Sequence, residues 1–395
     1  MKKVLLYYNF SYPISGGEYL PLALLSELQK TCEVTLACDL ASGLERAMGL
    51  FDMPLDMSRL SVVQLMPDDY HPSRHTPLLS LRRSWKLKRL ARKADVCISA
   101  GNIIDFGKPA HHFMTIIDYG DPAFTAYARG QAPGKASPMS RLKRFVFNSL
   151  LRRILGLRSK RRIIADMSER IYPNSRYLDR LMRSFYGDFN GEVFFPPTMF
   201  EPGTDPLEKD TRQVVFIGRI SPEKDIVGII EIVERARALS GQDLRLCIAG
   251  PTDRDTAYIR ALKKLAQERP WMSLPGAAFG EAKDRLLRSS TYAVHTGTIE
   301  TFGISVAEYI KAGNIALVPQ DGGSREVVDS PDLTYRTREE AAQILARLLQ
   351  DAPFRERQLR HCGERARFFS RKAYCERQSD LLRRILQDGP ASSAP

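Results

Sequence analysis

The sequence lacks several motifs that would assign a chemistry at once. Its six cysteines include no Cys-x-x-Cys pair, and its six histidines show no His-Glu-x-x-His spacing. A complete Gly-x-Gly-x-x-Gly fingerprint is also absent. We therefore expect reduced structural thiols, no metal site and no other cofactor.

Long hydrophobic runs are missing too, and none approaches the ~20 residues that a bilayer-spanning helix needs. The amino terminus, Met-Lys-Lys followed by a short apolar stretch before Asn9, imitates a signal peptide. Its apolar core of about five residues is too short for one, and no small-residue cleavage site follows. We interpret the stretch as a first β-strand, in a chain that stays in the cytoplasm.

Size and composition favour a soluble protein of two domains. The chain has 395 residues, 43% hydrophobic and 27% charged. That length suits two cores of roughly 150–200 residues each.

Acidic residues are scarce in two segments, although the whole chain carries a net charge of +13. Residues 82–93 hold seven Lys or Arg and no acid, and no Asp or Glu occurs from Ala123 to Ala165. Within the second gap, basic residues crowd positions 141–162. Such asymmetry indicates an anionic partner.

Apolar runs alternate with helical patterns along the first half, which is typical of a parallel sheet covered on both faces. A Gly-bearing loop and a helix over Leu20–Gln29 follow the first strand. The predicted strands are Val4–Tyr8, Glu33–Cys38, Ser61–Leu65, Val96–Ser99, His112–Ile117 and Arg170–Pro173.

A proline-rich stretch, Phe194–Arg212, then predicts a linker, and a second alternating series begins. Its predicted strands are Val214–Ile217, Leu244–Ala249, Met272–Leu274, Tyr292–His295 and Ile315–Val318. Its predicted helices are Ile226–Leu239, Asp255–Glu268, Glu281–Arg288, Gly303–Ala312, Glu339–Gln350 and Phe354–Leu386. We expect an amino-terminal domain over 1–200, a second domain over 201–370, and a terminal helix over 371–395 that packs back on the first domain and ends in a frayed tail.

The segment Glu-Thr-Phe-Gly-Ile-Ser-Val-Ala-Glu at 300–308 is the most informative stretch. Glu300 is expected in the loop before a helix and Glu308 about one turn inside it. Backbone N–H groups at a helix start favour anions such as phosphate, and the two carboxylates can hold sugar hydroxyls. This pattern predicts a sugar-nucleotide pocket.

A second motif, residues 218–225, follows the strand Val214–Ile217. Gly218 lets the chain turn at the carboxyl end of that strand, which is the usual ligand edge of an open α/β sheet. Arg219 and Lys224 offer a guanidinium fork and a mobile point charge, which suit a diphosphate. Taken alone, the two could equally be surface residues of a turn.

Two glycine pairs are weaker signals. Gly16-Gly17 follows the first strand and Gly322-Gly323 follows the strand Ile315–Val318. Each is either a plain turn or a place where backbone approaches a phosphate or sugar, and Glu326 could cap a helix or hold a hydroxyl.

The motifs at 218–225, 248–251, 300–308 and 321–328 together resemble the donor half of the family-4 retaining glycosyltransferases. Their order and approximate separations match over 213–330, and the His-Thr at 295–296 with Pro-Glu-Lys-Asp at 222–225 is similar to mannosyltransferases that extend lipid-linked oligosaccharides. The first half resembles the family more loosely, through residues 16–18, 173–177 and Pro196-Pro197. This resemblance implies an α/β protein of the GT-B fold, with two Rossmann-like domains facing a cleft.

The resemblance also implies roles for individual residues. Arg219 and Lys224 would neutralise the departing nucleoside diphosphate, Glu300 would hold the donor sugar and Glu308 the ribose. Retention is expected to come from front-face attack, without a nucleophilic carboxylate and without a metal. The implied donor-binding positions are Gly16, Gly17, Gly218, Gly250, Pro251, Phe302, Gly303, Ile304, Ser305 and Glu308.

The chain departs from the family pattern at two places. Many relatives carry a Tyr-x-His-x-Pro element, whereas Asp118 falls near the place of that His here, so either the alignment slips or a carboxylate has taken the role. His111 and His112 are interpreted as surface or strand-end residues. Thr296-Gly297 replaces the family's Pro-Ser and is expected to reshape the loop.

Apolar residues recur at helical spacing over 142–155, among Lys and Arg. This pattern indicates either a helix on an anionic membrane surface or a core-facing helix with a solvated basic face. Nucleic-acid binding is disfavoured, because no recognised fold or stacking-aromatic motif accompanies the charge.

The sequence therefore predicts a cytoplasmic, peripheral membrane hexosyltransferase that uses a nucleotide sugar and a lipid-linked or polysaccharide acceptor. One alternative is a GT-B enzyme on a soluble acceptor, such as a sucrose- or trehalose-type synthase. The other is a non-catalytic sugar-nucleotide or lipid-binding module.

Overall fold

The computed structural model describes residues 1–10, 16–71, 77–115, 156–205, 207–253, 256–297 and 300–387. The chain divides into two compact units. The first contains Met1–Pro197 and the chain from Cys375 onward, and the second contains Thr198–Tyr374.

The first unit is built on a parallel sheet of six strands. Their order in the sheet is β3-β2-β1-β4-β5-β6. The strands are β1 (Lys3–Tyr7), β2 (Glu33–Cys38), β3 (Leu60–Gln64), β4 (Val96–Gly101), β5 (His111–Met114) and β6 (Arg170–Pro173). The helices described here are α1 (Tyr19–Leu28), α2 (Ser42–Phe51), α3 (Pro77–Ala91), α4 (Lys160–Ile164) and α5 (Arg176–Tyr186).

The second unit repeats this topology, with the order β12-β11-β10-β7-β8-β9. Its strands are β7 (Asp210–Ile217), β8 (Arg245–Ala249), β9 (Met272–Gly276), β10 (Ser290–Val294), β11 (Ile315–Pro319) and β12 (Thr334–Tyr335). Its helices are α6 (Ile226–Ser240), α7 (Ala257–Gln267), α8 (Gly280–Ser289), α9 (Ile304–Lys311), α10 (Ser324–Val328), α11 (Arg338–Gln350) and α12 (Ala352–Phe368). A last helix, α13 (Arg371–Gln387), carries the chain back to the first unit.

Both sheets have the doubly wound strand order. In each unit the first and fourth strands are neighbours, and the direction in which the chain adds strands to the sheet reverses between them. Strands β10 and β11 are buried along their whole length, as expected for parallel strands covered on both faces. The prediction of two Rossmann-like domains is confirmed.

The terminal helix α13 is fixed to the first unit by side chains along its length. The Gln378 Nε2 amide donates to the Ala23 carbonyl at 2.7 Å in a buried contact, and Arg384 forms a two-pronged ion pair with Glu192. Lys2 also donates to the carbonyl of Leu386. The frayed tail predicted after Gln387 lies outside the described residues.

Most predicted segments correspond to an observed element. Helices α2 to α5, helix α10 and strand β12 have no predicted bounds, and β7 begins at Asp210, inside the predicted linker. Two further predicted segments differ from the structure. The single helical segment over Phe354–Leu386 is wrong, because α12 ends at Phe368 and α13 starts at Arg371. Ser370 accepts the Ala373 N–H at 3.3 Å and so caps the new helix. The predicted strand over His112–Ile117 is shorter, since β5 ends at Met114, and Ile117 lies outside the described residues.

Candidate functional site in the second unit

Neighbouring strands β7 and β10 mark the switch point of the second sheet, where a doubly wound fold leaves a crevice at the carboxyl ends of its strands. Strand β7 runs directly into residues 218–225, and β10 runs into residues 295–300. The two motifs that the sequence analysis singled out therefore start at adjacent strand ends.

The loop after β7 is shaped by a short 3-10 turn, Pro222–Lys224, and by Asp225. Asp225 adopts a left-handed conformation (φ 44°), and its carboxylate accepts the Gly228 N–H at 3.2 Å to cap α6. Arg219 projects into solvent, 69% exposed, with a loose 3.6 Å contact to Glu223. Arg219 is thus free to reach a ligand phosphate.

Lys224 and Glu300 meet across the switch point. The Lys224 Nζ lies 2.6 Å from the Glu300 Oε2, and each side chain is about one-fifth exposed. Burial alone would raise the pKa of Glu300. The charge of Lys224, together with His295 and with hydrogen bonds from Lys224 and the Gly303 backbone, outweighs burial and holds that pKa below its usual value. The site therefore contains a carboxylate that stays ionised beside a cation.

Two hydroxyls hold the surrounding backbone in place. The Thr296 hydroxyl donates to the carbonyls of Lys224 and Asp225, at 2.7 and 3.1 Å. The Tyr309 hydroxyl accepts the Ile217 N–H at 2.8 Å, which ties α9 to the end of β7. Thr296, which stands where the family has a proline, thus hydrogen-bonds the loop after β10 to the loop after β7. This corrects the expectation that it only reshapes its own loop.

Helix α9 begins at a glycine that requires a left-handed conformation. Gly303 has φ 93° and precedes Ile304, the first helical residue. Ile304 and Ser305 are half-buried, and the first backbone N–H groups of a helix have no intrahelical acceptor. By contrast, the Phe302 side chain, predicted to bind the donor, is 1% exposed and packs edge-on against Phe369.

The Gly322-Gly323 pair explains how the Glu300 loop is held. The Gly323 N–H donates to the Glu300 carbonyl at 2.7 Å. A Cβ at Gly323 would overlap the carbonyl of Thr301. This pair is thus a close backbone approach that fixes the loop of a site residue.

Gly218 and Gly250, both predicted to bind the donor, contact each other. The Gly218 N–H donates to the Ala249 carbonyl at 3.1 Å, and a Cβ at Gly250 would overlap the Gly218 carbonyl. Pro251, the next residue, is exposed. These glycines let the ends of β7 and β8 approach.

Glu308 is nearly buried on α9, one turn inside the helix as the sequence analysis predicts. Its Oε1 accepts from the Lys283 Nζ at 2.7 Å. Lys283 comes from α8 and also faces the ring of Phe200, 6.0 Å from the centroid. The sequence analysis missed Lys283, because a single lysine on an amphipathic helix has the same pattern as a solvated one.

His295 is the second site residue that sequence reasoning left without a role. Its ring is 1% exposed, and its Nε2 lies 4.0 Å from the Glu300 Oε2. Burial lowers the pKa of His295 to about 4, and the nearby Glu300 offsets this only in part. The Tyr335 hydroxyl donates to the His295 carbonyl at 2.6 Å, so the backbone there is fixed.

In the first unit, Gly16 and Gly17 belong to a 3-10 turn, Gly16–Glu18, that leads into α1. Asp118 and the basic stretch 142–155 lie outside the described residues. His111 and His112 are the first two residues of β5, which confirms the strand-end alternative, and the complete burial of His112 rules out the surface alternative for that residue. Its Nε2 lies 3.0 Å from Glu169 at the amino-terminal edge of the sheet, away from the ligand edge.

No group of three or more His, Cys, Asp or Glu side chains suited to a metal ion occurs in the described part of the chain. Within the same residues, no helix is both long and apolar enough to cross a membrane.

Fold and site together define a protein with the GT-B architecture of solved glycosyltransferases. The chain aligns with Anabaena Alr3699/HepE in complex with UDP-glucose at a TM-score of 0.67 and 14% identity, covering 98% of this chain and 100% of that one. Residues 201–367 match the family described as Glycosyl transferases group 1. This family match covers most of the second unit.

Two curated relatives carry the same name, GDP-Man:Man(3)GlcNAc(2)-PP-Dol alpha-1,2-mannosyltransferase. The one from Candida glabrata is 30% identical over 165 residues, and the one from Xenopus laevis is 32% identical over 129 residues. These matches cover 38% and 30% of this chain, and 32% and 26% of those relatives. The resemblance of the donor half to mannosyltransferases of lipid-linked oligosaccharides is confirmed.

Proposed function

We propose that this protein transfers a hexose, with retention of configuration, from a nucleoside-diphosphate sugar to a lipid-linked or polysaccharide acceptor at the cytoplasmic face of a membrane. The observation that carries the proposal is the meeting of Lys224 and Glu300 at the switch point between β7 and β10. A cation for phosphate and a carboxylate for sugar hydroxyls lie side by side where this fold binds ligands.

The reaction depends on the departure of the diphosphate. The bond from the anomeric carbon to the diphosphate oxygen breaks, and its electron pair leaves with the diphosphate. Lys224, Arg219 and the N–H groups that start α9 would stabilise the added charge. The acceptor hydroxyl attacks from the same face, and its proton passes to a phosphate oxygen of the leaving group.

The two carboxylates act as binding groups in this scheme. Glu300 holds hydroxyls of the donor sugar, and Glu308 holds the ribose hydroxyls beside Lys283. Neither forms a covalent intermediate, unlike the paired carboxylates of retaining glycosidases. The cations of the chain supply the charge stabilisation, so the proposed reaction needs no metal or other cofactor.

Mannose is the sugar we favour, and guanine the base, because the curated relatives bear GDP-Man in their names. The same names describe an acceptor linked to a lipid pyrophosphate. The first unit would provide the acceptor-binding surfaces.

Helix α3 supports attachment to an anionic membrane surface. Its exposed residues, with Arg92 directly after the helix, form one stripe at alternating spacings of four and three: Leu78, Arg82, Trp85, Arg89 and Arg92. Trp85 is 61% exposed, and the Arg89 guanidinium lies 5.8 Å from its ring centroid. A tryptophan with flanking arginines suits the interface of an anionic bilayer, where each basic residue contributes about 1 kcal/mol.

Cosedimentation with liposomes tests this attachment. Replacing Arg82, Arg89 and Arg92 by Gln should release the protein from vesicles rich in anionic lipid. A matched control replaces Arg260, Lys263 and Lys264 of α7, which removes the same charge from the second unit. Equal binding by both triple variants would refute attachment through α3.

Two other functions remain open to test. A soluble acceptor would give transfer that needs no lipid, and a non-catalytic module would bind the nucleotide sugar without any turnover. The pairs at Glu300 and Glu308 favour an enzyme, because both carboxylates and both lysines are in place.

A transfer assay with GDP-mannose and a polyprenyl-pyrophosphate oligosaccharide tests the proposed function. We expect mannose in the lipid fraction with the α configuration of the donor, read by NMR of the released glycan. A β-linked product would contradict retention. Binding of GDP-mannose without transfer to this or a soluble sugar acceptor would instead favour the module.

A further inference from the structure

The ion pair between Lys224 and Glu300 joins two groups that the proposed function assigns to different parts of the donor. Lys224 is assigned to the diphosphate and Glu300 to the sugar, yet their charged atoms are 2.6 Å apart. A diphosphate carries more negative charge than one carboxylate, so it attracts the ammonium more strongly. Binding of the donor would therefore draw Lys224 away and leave Glu300 without its cation.

His295 is the next polar side chain beside the Glu300 carboxylate. Its ring is buried, and neither ring nitrogen has a side-chain hydrogen-bond partner among the described residues; the backbone of Gly297 is the polar group beside the ring, and its contact falls short of a well-formed hydrogen bond. Leaving a buried polar group unpaired costs free energy, and such groups in native proteins call for an explanation. A partner that arrives in another state of the site would satisfy the ring.

The His295 ring and the Glu300 carboxylate are already close. The Nε2 is 4.0 Å from the Glu300 Oε2, which is about 1 Å beyond a normal hydrogen bond. Gly297 faces the same nitrogen, and a Cβ there would stand only 3.2 Å from the Nε2. The backbone of His295 is fixed, because its N–H donates to the Leu317 carbonyl at 2.9 Å and Tyr335 donates to its carbonyl.

We propose that the ion pair between Lys224 and Glu300 exists only in the absence of ligand and breaks when the nucleotide sugar binds, and that His295 then hydrogen-bonds the Glu300 carboxylate in place of Lys224. When Lys224 turns to the diphosphate, the His295 Nε2–H donates to the Glu300 Oε2. The carboxylate keeps its orientation toward the sugar hydroxyls. His295 is thus a positioning residue, and this role rests on the proposed function.

Isothermal titration of the full chain with GDP and with GDP-mannose tests the proposal, with UDP and UDP-glucose run alongside. His295→Leu removes the donor, whereas His295→Gln keeps an N–H at a similar reach. In the Leu variant we expect the affinity for GDP-mannose to fall about tenfold, the loss of a hydrogen bond to a charged group. The affinity for GDP should stay unchanged, because without the sugar water can enter beside Glu300 and hydrogen-bond the carboxylate in place of His295. The Gln variant should restore the affinity for the nucleotide sugar.

Three results would contradict either the role of His295 or the proposed function. Unchanged GDP-mannose affinity in His295→Leu would overturn the role of His295. Equal losses for GDP and GDP-mannose would mean that the ring only supports the packing, which overturns it too. If the wild type binds none of the four nucleotides, the proposed function itself fails. Should His295→Leu not fold, His295→Asn, whose amide is too short to reach Glu300, takes its place.

Discussion

Two lysine–carboxylate pairs dominate the donor site at the scale of single residues. Lys224 pairs with Glu300 and Lys283 pairs with Glu308, each at hydrogen-bonding distance. Partly buried ion pairs contribute little net stability, because desolvation offsets their attraction. We therefore expect substitutions at these positions to affect ligand binding and transfer more than folding.

Separate substitutions, Lys224→Ala and Glu308→Ala, test this expectation. Each should lower transfer about a hundredfold or more, the size of effect seen when a group that stabilises a transition state is removed. Each variant leaves one charge of its pair without a partner, so the melting temperature should fall somewhat while the protein stays folded at the assay temperature. Lys263→Ala, an exposed lysine of α7, is the control and should change neither. Near-full activity in both site variants would show that the site is assigned wrongly.

The lowered pKa values of two histidines predict how the free energy of unfolding depends on pH. Burial lowers the pKa of His295, and likewise that of His111, from 6.5 to about 4. Between these values the unfolded chain binds protons that the folded chain does not, so the free energy of unfolding falls as pH drops from 6.5 to about 4. Denaturant titrations should show a smaller drop for His295→Gln than for the wild type. The exposed His71→Gln is the control, and an equally steep drop in His295→Gln would contradict the account.

Residue-level prediction from the sequence succeeded where several signals coincide. Glu300 and Lys224 stand in loops that follow apolar strands, so their meeting at a sheet edge could be expected. Lys283 and His295 could not be found in this way. Lys283 has the sequence pattern of a solvated helical lysine. His295 stands out only because the fold buries its ring, which the sequence does not show.

At the scale of elements, the Glu300 loop is held by the turn after β11. The Gly323 N–H binds the Glu300 carbonyl, and there is no space for a side chain against Thr301. Gly323→Ala must therefore push the Glu300 loop away. We expect a loss of nucleotide-sugar affinity together with a lower melting temperature, measured by calorimetry.

Gly363 provides a matched control within the second unit. It lies inside α12, and a Cβ there meets nothing within 4 Å. Gly363→Ala should stabilise the protein by up to about 1 kcal/mol, the helix-propensity difference, and leave binding unchanged. If Gly323→Ala instead binds the nucleotide sugar as Gly363→Ala does and is equally stable, the contact of Gly323 with the Glu300 loop does not contribute to binding.

Element boundaries followed the apolar periodicity closely, because buried strands and amphipathic helices must show it. The break between α12 and α13 escaped prediction for the same reason. The apolar spacing runs on through Phe369, and only the Ser370 cap shows where the chain turns.

For the whole molecule, the chain returns to its first unit through α13. Leu381 on this helix is 2% exposed, and Gln378 binds the backbone of α1. Leu381→Ala should cost about 2–5 kcal/mol, as for other buried leucines. Hydrogen exchange should speed up in β1 and α1 while β7 and β10 keep their protection. Arg383→Ala, an exposed neighbour, is the control, and uniform loss of protection in both units would contradict the division.

The repeated β-α alternation made two doubly wound domains predictable, and that unit does occur twice. The GT-B fold was implied only by the resemblance of the motifs to a family. The acceptor side could not be predicted to the same depth. Its motifs are looser, and Asp118 and the stretch 142–155 lie outside the described residues.

The central claim is that the second unit binds a nucleoside-diphosphate sugar through Lys224 and Glu300. The most direct measurement is the thermal shift of the wild type and of Lys224→Ala with a panel of nucleotide sugars, since a ligand that binds only the folded state raises the melting temperature. We predict a shift with GDP-mannose in the wild type that is lost in Lys224→Ala. No shift with any nucleotide sugar, or the same shift in both proteins, would contradict the account.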